Sequence, residues 1–307
     1  MNFQSGSFTE FNHFKEVIKD WSLDFNILSK GDFKASFKLF TSDCFLLANE
    51  KLTGIIEHGG KSPIGYRTMV IPINQENDFV WYNKKVNGSD LLIFPKNNEI
   101  DVVTFDGLDI YLLSIEENLL FKTIEALNLT NCRSLFEDSE KEIFLSEAYA
   151  LKFSKMAASF LNNTANCSEN CKTESTVLIH SLLEYLETSS GKNHPLLKKS
   201  SSVALLKAVA IIKENKGGLL SAADLCEQVS ISERSLYNAF KEKYNVSPAD
   251  FIKSIRLNNV REELYRNSNN QVSISDIAGK YHFWHLSQFS QDFKKQFGVL
   301  PSEIRKN

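Results

Sequence analysis

The sequence predicts a protein of two unlike parts: a β-rich N-terminal half with helices appended, and an all-α C-terminal domain. Three observations predict it. The chain has 307 residues, a length that suits two domains better than one. From about Leu23 to Ile115, short runs rich in Phe, Ile, Val and Tyr alternate with Gly- and Asn-containing turns, the pattern of short strands. Beyond Glu116 the apolar period lengthens from two residues toward 3.6, and residues 203–307 hold no strand-like run.

The composition is 42% hydrophobic and 24% charged, which excludes a disordered, collagen-like or disulfide-scaffold chain. No apolar run approaches the roughly 20 residues that span a bilayer, and the first residues lack the basic start and apolar stretch of a signal peptide. The five cysteines, Cys44, Cys132, Cys167, Cys171 and Cys226, are an odd and sparse set that suits a reducing compartment. A cytoplasmic location away from membranes is the expectation.

Eight strand-like runs, at 33–40, 44–50, 52–59, 66–74, 78–86, 90–95, 100–105 and 108–115, read as one small barrel or sandwich over 23–115. Asn87-Gly88 and Asp106-Gly107 fall between runs and suit two-residue hairpin turns. Residues 116–187 read as helical. The longest helix is expected over 139–163, with Ser139 as N-cap and Ile143, Ala150, Leu151, Ser154, Ala157 and Ala158 along one stripe. A second covers about 173–186. Residues 188–201, rich in Gly, Pro, Ser and Lys, read as a linker between a regulatory domain over 1–187 and a helical domain over 202–307.

In the C-terminal domain, Leu225, Val229, Ile231, Leu236, Ala239 and Phe240 are spaced to form a shared core for two short helices, with Ser221 and Ser232 as N-caps. Ile277, Ala278, Tyr281, Phe283, Phe289, Phe293 and Phe297 repeat the scheme about 50 residues later. Between the two units, Ser247-Pro248 opens a helix of about 20 residues, roughly 30 Å long. That separation lets two recognition helices meet DNA about one turn apart.

These residues resemble the AraC/XylS family of transcription regulators. Ser232, Leu236, Phe240 and Lys241 fit the first unit of its DNA-binding domain, and Arg256-Leu257 fit its central helix. Ile277, Ala278, Phe283, Phe289, Phe293, Lys294, Gly298, Pro301 and Arg305 stand at the positions of its C-terminal signature. Ser230 and His282 depart from the glycine usual in each turn, a left-handed position that costs a non-glycine residue about 1 kcal/mol.

The resemblance implies two helix-turn-helix units that read promoter DNA, and no enzymatic activity. With Leu236, Ala239 and Phe240 turned inward, Arg234, Tyr237 and Asn238 face the bases. In the second unit Ser287, Gln288 and Gln291 do so. Arg pairs bidentately with guanine, and Asn or Gln with adenine, at about 1–3 kcal/mol of discrimination each. Ser232, Lys241, Lys294, Lys295 and Arg305 are placed for phosphates, which set register. The charge agrees: residues 1–200 carry 20 Lys and Arg against 27 Asp and Glu, and residues 201–307 carry 15 against 11.

For the N-terminal half the resemblance implies a cupin-like barrel that senses an effector and a helical segment that dimerises. Residues 28–116 also look faintly like the sensor domains of ethanolamine-responsive regulators, a likeness that names no ligand. Glu57, His58, Tyr66, Arg67, Trp81 and Tyr82 are candidate pocket residues, with homodimer contact through 139–163. No metal or cofactor is expected. Only His58 of the histidines in this half lies among the strands, short of a metal-binding cupin's ligands, and Cys167 with Cys171 makes too few for zinc. The chain is thus expected to be a DNA-binding activator working with RNA polymerase. The alternatives are a regulator answering to a partner protein and, third, a metal-dependent cupin enzyme carrying a DNA-binding domain.

Overall fold

The computed structural model describes residues 2–17, 23–73, 78–82, 84–86, 88, 90–96, 100–136, 141–164, 171–189, 199–215, 218–267 and 272–304. In chain order the N-terminal half runs β1 (Asn2–Phe8), α1 (Phe11–Val17), β2 (Leu23–Ile27), β3 (Ala35–Thr41), β4 (Phe45–Leu52), β5 (Ile56–Gly60) and β6 (Tyr66–Pro72). It continues with β7 (Phe79–Trp81), β8 (Lys84–Val86), β9 (Asp90–Ile93), β10 (Val102–Thr104) and β11 (Leu108–Glu116). Then follow α2 (Glu117–Ala126), α3 (Thr130–Leu135), β12 (Lys141–Phe144), α4 (Glu147–Thr164) and α5 (Cys171–Glu187). The rest is helical: α6 (Lys199–Glu214), α7 (Ala222–Val229), α8 (Glu233–Tyr244), α9 (Pro248–Arg266), α10 (Ile274–Lys280), α11 (Leu286–Phe297) and α12 (Pro301–Ile304).

The strands form two antiparallel sheets, one ordered β1-β3-β4-β11-β6-β9-β12 and the other β2-β5-β10-β7-β8. The barrel expected from the sequence is therefore not closed. Its turns explain why. Gly54 (φ +90°) and Gly107 (φ +85°) adopt left-handed backbone that sends the chain across from one sheet to the other. The Gly54 N–H donates to Asp106 Oδ1 at 2.7 Å, so the two crossovers brace one another. Asp106-Gly107 consequently joins strands of different sheets and is no hairpin turn. Asn87 lies outside the described residues.

Strand alternation assigns the faces. In β4, Leu46, Ala48 and Leu52 turn toward the second sheet, while Phe45 and Leu47 turn outward. In β11, Leu108, Ile110 and Leu112 face in, and Tyr111, Leu113 and Ile115 face out. The outward set is covered by α2, α4 and α5 through Leu120, Phe153, Phe160 and Leu183. Here the 139–163 expectation is corrected. Residues Lys141–Phe144 form strand β12 against β9, and the helix begins at Glu147. The proposed cap Ser139 lies outside the described residues. The buried stripe of α4 is Tyr149, Ala150, Phe153, Ala157, Phe160 and Leu161, with Leu151 exposed, so the stripe is used within its own half.

The second sheet is buried on both faces. Phe25, Ile27, Phe79 and Trp81 face the first sheet, whereas Val80 and Val103 pack with Leu205, Ala208, Ile212, Leu236 and Phe240 of the C-terminal helices. Double burial produces continuous apolar runs in place of alternation, as in Phe79-Val80-Trp81. Helix α9 is likewise enclosed, burying Phe251, Ile255, Asn258, Val260, Arg261 and Leu264 around much of its circumference. Its polar members face the N-terminal half. Asn258 bonds to the main chain of Ile27, and Arg261 pairs with Glu10 in a buried salt bridge.

Candidate nucleic-acid interface

Each helix-turn-helix unit is set by its caps. Ser221 Oγ accepts from the Asp224 N–H at 3.1 Å while Asp224 Oδ2 accepts from the Ser221 N–H at 2.8 Å, a reciprocal capping box that opens α7. Ser230 ends α7 in left-handed conformation (φ +58°), and Ser232 then caps α8 through the Ser235 N–H at 3.2 Å. In the second unit Ser273 caps α10, and His282 (φ +64°) makes the left-handed turn. Both non-glycine turn residues thus adopt the strained conformation the sequence demands of them. The local cores follow the expected spacing, with Leu225, Leu236, Ala239 and Phe240 buried in one unit, and Ile277, Ala278, Phe289 and Phe293 in the other.

Burying those residues leaves the opposite faces open. Arg234, Tyr237 and Asn238 are exposed on α8, and Ser287, Gln288 and Gln291 on α11. Lys241, Lys294 and Lys295 are exposed near the C-terminal ends of the same helices, and Lys241 Nζ stands 5.9 Å from the Tyr237 ring. Ser232 is exposed but engaged as the α8 cap. Arg305 lies outside the described residues. Helix α9 carries 19 residues between the units, about 28 Å at 1.5 Å per residue. Sequence reasoning missed Trp284 (68% exposed) and Leu286 (44%), which precede and open α11 beside Ser287 and Gln288. Large apolar side chains left open beside a polar recognition face were the available signal.

The N-terminal candidates do not converge. His58 and Trp81 line one cavity between the sheets. Glu57 turns to the opposite face of β5, where it accepts from Asn26 Nδ2 at 3.0 Å and pairs with Lys213 Nζ at 2.9 Å. Tyr66 donates to the Asp43 carbonyl at 2.6 Å, and buried Arg67 donates to the Phe136 carbonyl. Tyr82 packs edge-on to Trp81. Sequence reasoning missed Glu50, which lines the same cavity as His58 and Trp81. Its inward position depends on the β3–β4–β11 register, Phe37 and Ile110 being its cross-strand neighbours. Burial raises the Glu50 carboxyl to about 7 and lowers the His58 imidazole to about 3. Among the described residues no three of His, Cys, Asp and Glu are grouped to hold a metal ion, and no helix is long and apolar enough to cross a membrane.

The family match lies in the C-terminal helices, and one relative matches beyond them. A family described as Helix-turn-helix domain matches residues 225–307. The XylDLEGF operon transcriptional activator of Pseudomonas putida is 32% identical over 127 residues, 41% of this chain and 39% of that protein. The Msm operon regulatory protein of Streptococcus mutans is 25% identical over 224 residues, 71% of this chain and 75% of that protein. A solved transcriptional regulator of Chromobacterium violaceum, with an AraC-type DNA-binding domain, is 28% identical over 36% of this chain and 95% of that one, at a TM-score of 0.32. The chain spans about two fifths of the length of the operon activators it matches first. Its motifs, caps, left-handed turns and family match agree: residues 225–307 form a helix-turn-helix domain, similar to the C-terminal part of operon transcriptional activators.

Proposed function

We propose that the protein is a cytoplasmic, sequence-specific DNA-binding transcription regulator that activates its promoters with RNA polymerase. The observation that carries this reading is the pair of open polar faces, one on α8 and one on α11, held apart by buried α9. Arg234, Tyr237 and Asn238 then read one major groove, and Ser287, Gln288 and Gln291 the next. Lys241, Lys294, Lys295 and Ser232 set register on phosphates, and Arg305 belongs to that set by its place in the family signature. Trp284 and Leu286 add apolar contact at the start of α11, suited to a thymine methyl or a sugar edge.

The N-terminal half is the regulatory part in this reading, a cupin-like fold whose second sheet has a ligand-sized cavity on one face and the DNA-binding helices on the other. An effector between the sheets changes the placement of α8, α9 and α11, and DNA affinity changes by the same coupling energy. A homodimer would use the side of α4 that Leu151 occupies, a smaller surface than the sequence stripe implied. Regulation by a partner protein is the second reading, favoured by the exposed apolar residues Ile64, Leu151 and Val177. Selection of bound sequences from random duplex DNA by the full chain tests the main reading. The expected product is one site with two elements about 10 base pairs apart; enrichment of no sequence would reject it.

A further inference from the structure

The cavity between the sheets has about 70 Å³ of space and is walled by Phe25, Phe79, Leu92, Phe94, Val102 and Ile110, among other apolar side chains. At roughly 10–15 Å³ for each water-sized occupant, it takes a ligand of about five heavy atoms. Only a few polar groups break the apolar wall. His58 Nε2 and Thr104 Oγ1 lie 2.8 Å apart and serve each other. Two others are left over: the Glu50 carboxyl, against which no donor or cation is set among the described residues, and the Trp81 indole Nε1, fully buried and without a partner.

Those leftovers differ in kind. The Glu50 carboxyl has an acceptor oxygen whether or not it is protonated, whereas an indole N–H only donates. A hydroxyl both donates and accepts, so it can meet either need, at Glu50 or at Trp81. An ammonium, which only donates, leaves Trp81 unmet. A carboxylate or phosphate could accept from Trp81, but it would face Glu50 in a cavity lined by no Lys or Arg. Glu50 is half-buried, with Phe37 and Ile110 as its cross-strand neighbours, and its carboxyl joins an otherwise apolar cavity wall that holds no Lys or Arg.

We propose that this cavity binds a small uncharged hydroxyl compound, a short-chain alcohol or its like, with Glu50 accepting from the hydroxyl and the Trp81 indole donating to it. The proposal rests on reading the N-terminal half as the effector domain, and it names the ligand class of that half.

The test uses the full chain with ¹⁵N-labelled tryptophan. Its indole resonances are few, because the sequence holds three tryptophans, and a Trp81→Phe variant identifies the Trp81 signal. The probes are 1-butanol, n-butylammonium and butanoate, matched in length. Saturable movement of the Trp81 signal by 1-butanol is expected, with at least tenfold weaker response to the other two. Glu50→Leu should abolish the response, and Glu50→Gln, which keeps an acceptor, should hold it within a few-fold. Equal binding of all three probes, preference for either ion, or no saturable shift with butanol, which would leave a cavity that holds only water, overturns the proposal. Operator affinity is measured separately. Butanol that moves Trp81 without changing DNA binding supports the ligand class and removes the regulatory reading.

Discussion

Asn258 of α9 and Ile27 of β2 exchange a pair of hydrogen bonds: the Ile27 N–H donates to Asn258 Oδ1 at 3.2 Å, and Asn258 Nδ2 donates to the Ile27 carbonyl at 2.9 Å. The side-chain amide thereby occupies the place of a neighbouring strand. Gln296 of α11 donates to the same carbonyl at 2.7 Å, so one residue of β2 is tied to two helices of the DNA-binding domain. Phe25, two residues earlier, lines the cavity. Strand β2 therefore carries cavity contacts and DNA-domain contacts within three residues.

That arrangement makes Asn258→Ala informative. Both partners are buried, so removing the amide strands the Ile27 N–H and costs about 1–3 kcal/mol. Urea unfolding of the full chain should show this loss. The Ile27 carbonyl keeps Gln296, so an Asn258→Ala, Gln296→Ala double variant should lose more than the sum of the single changes. Strict additivity would mean that the two amides do not share this anchor.

The DNA face separates by role. Arg234→Ala should relax the preference at one base of the operator by a factor corresponding to about 1–3 kcal/mol. Lys294→Ala should weaken all sequences alike and lower the slope of log affinity against log salt by about one. Trp284→Ala should reduce operator affinity about tenfold without changing the unfolding midpoint, whereas Leu219→Ala, at a comparably exposed site outside α8 and α11, should not. Binding isotherms at several salt concentrations distinguish these outcomes, and identical behaviour of Arg234→Ala and Lys294→Ala would contradict the assigned faces.

The recognition helices were legible from sequence because their signals are local. Ser221, Ser232, Ser247 and Ser273 each cap the helix they precede, and positions 230 and 282 bend the chain where two apolar patterns meet. The contacts between the two halves were not legible. Asn258, Arg261, Lys243 and Gln296 are residue types that ordinarily face water, and only the arrival of Ile27, Glu10 and Asp101 from more than 140 positions away makes them interior. Glu50 was missed for a related reason, since its inward position follows from sheet register. The edge strand β1 (NFQSGSF) and short β12 (KEIF) carry little apolar alternation, and pairing with β3 and β9 supplies what their sequences lack.

Stability against pH should reveal the two cavity groups with opposite signs. Glu50 rises from 4.5 to about 7 on folding, so it binds its proton more tightly in the native state. Its contribution is complete below pH 4.5 and is lost as pH rises toward 7. His58 falls from 6.5 to about 3, so its contribution is complete above pH 6.5 and is lost as pH falls toward 3. Relative to the wild type, Glu50→Gln should gain stability as pH rises from 4.5 to 7, and His58→Gln as pH falls from 6.5 to 3. Urea midpoints between pH 4 and 8 measure both, and parallel curves for the three proteins would remove the cavity from the account.

Lys243 provides the sharpest asymmetry. It sits on recognition helix α8 with no exposed surface, and its ammonium donates to both oxygens of Asp101, at 2.7 and 2.6 Å. Asp101 adjoins Val102 of the cavity wall and keeps about a quarter of its side chain in solvent. Removing the lysine as Lys243→Met leaves a carboxylate that water can reach, and the methionine fills most of the vacated space, so the loss should be small. Removing the charge from the acid as Asp101→Asn leaves an ammonium buried and unpaired, at a cost of about 3–5 kcal/mol. The two substitutions delete the same ion pair, so a simple count of salt bridges predicts equal effects. Urea unfolding should instead rank Asp101→Asn well below Lys243→Met. Operator affinity should fall for Asp101→Asn as well, because the stranded charge pulls α8 away from the sheet that positions it.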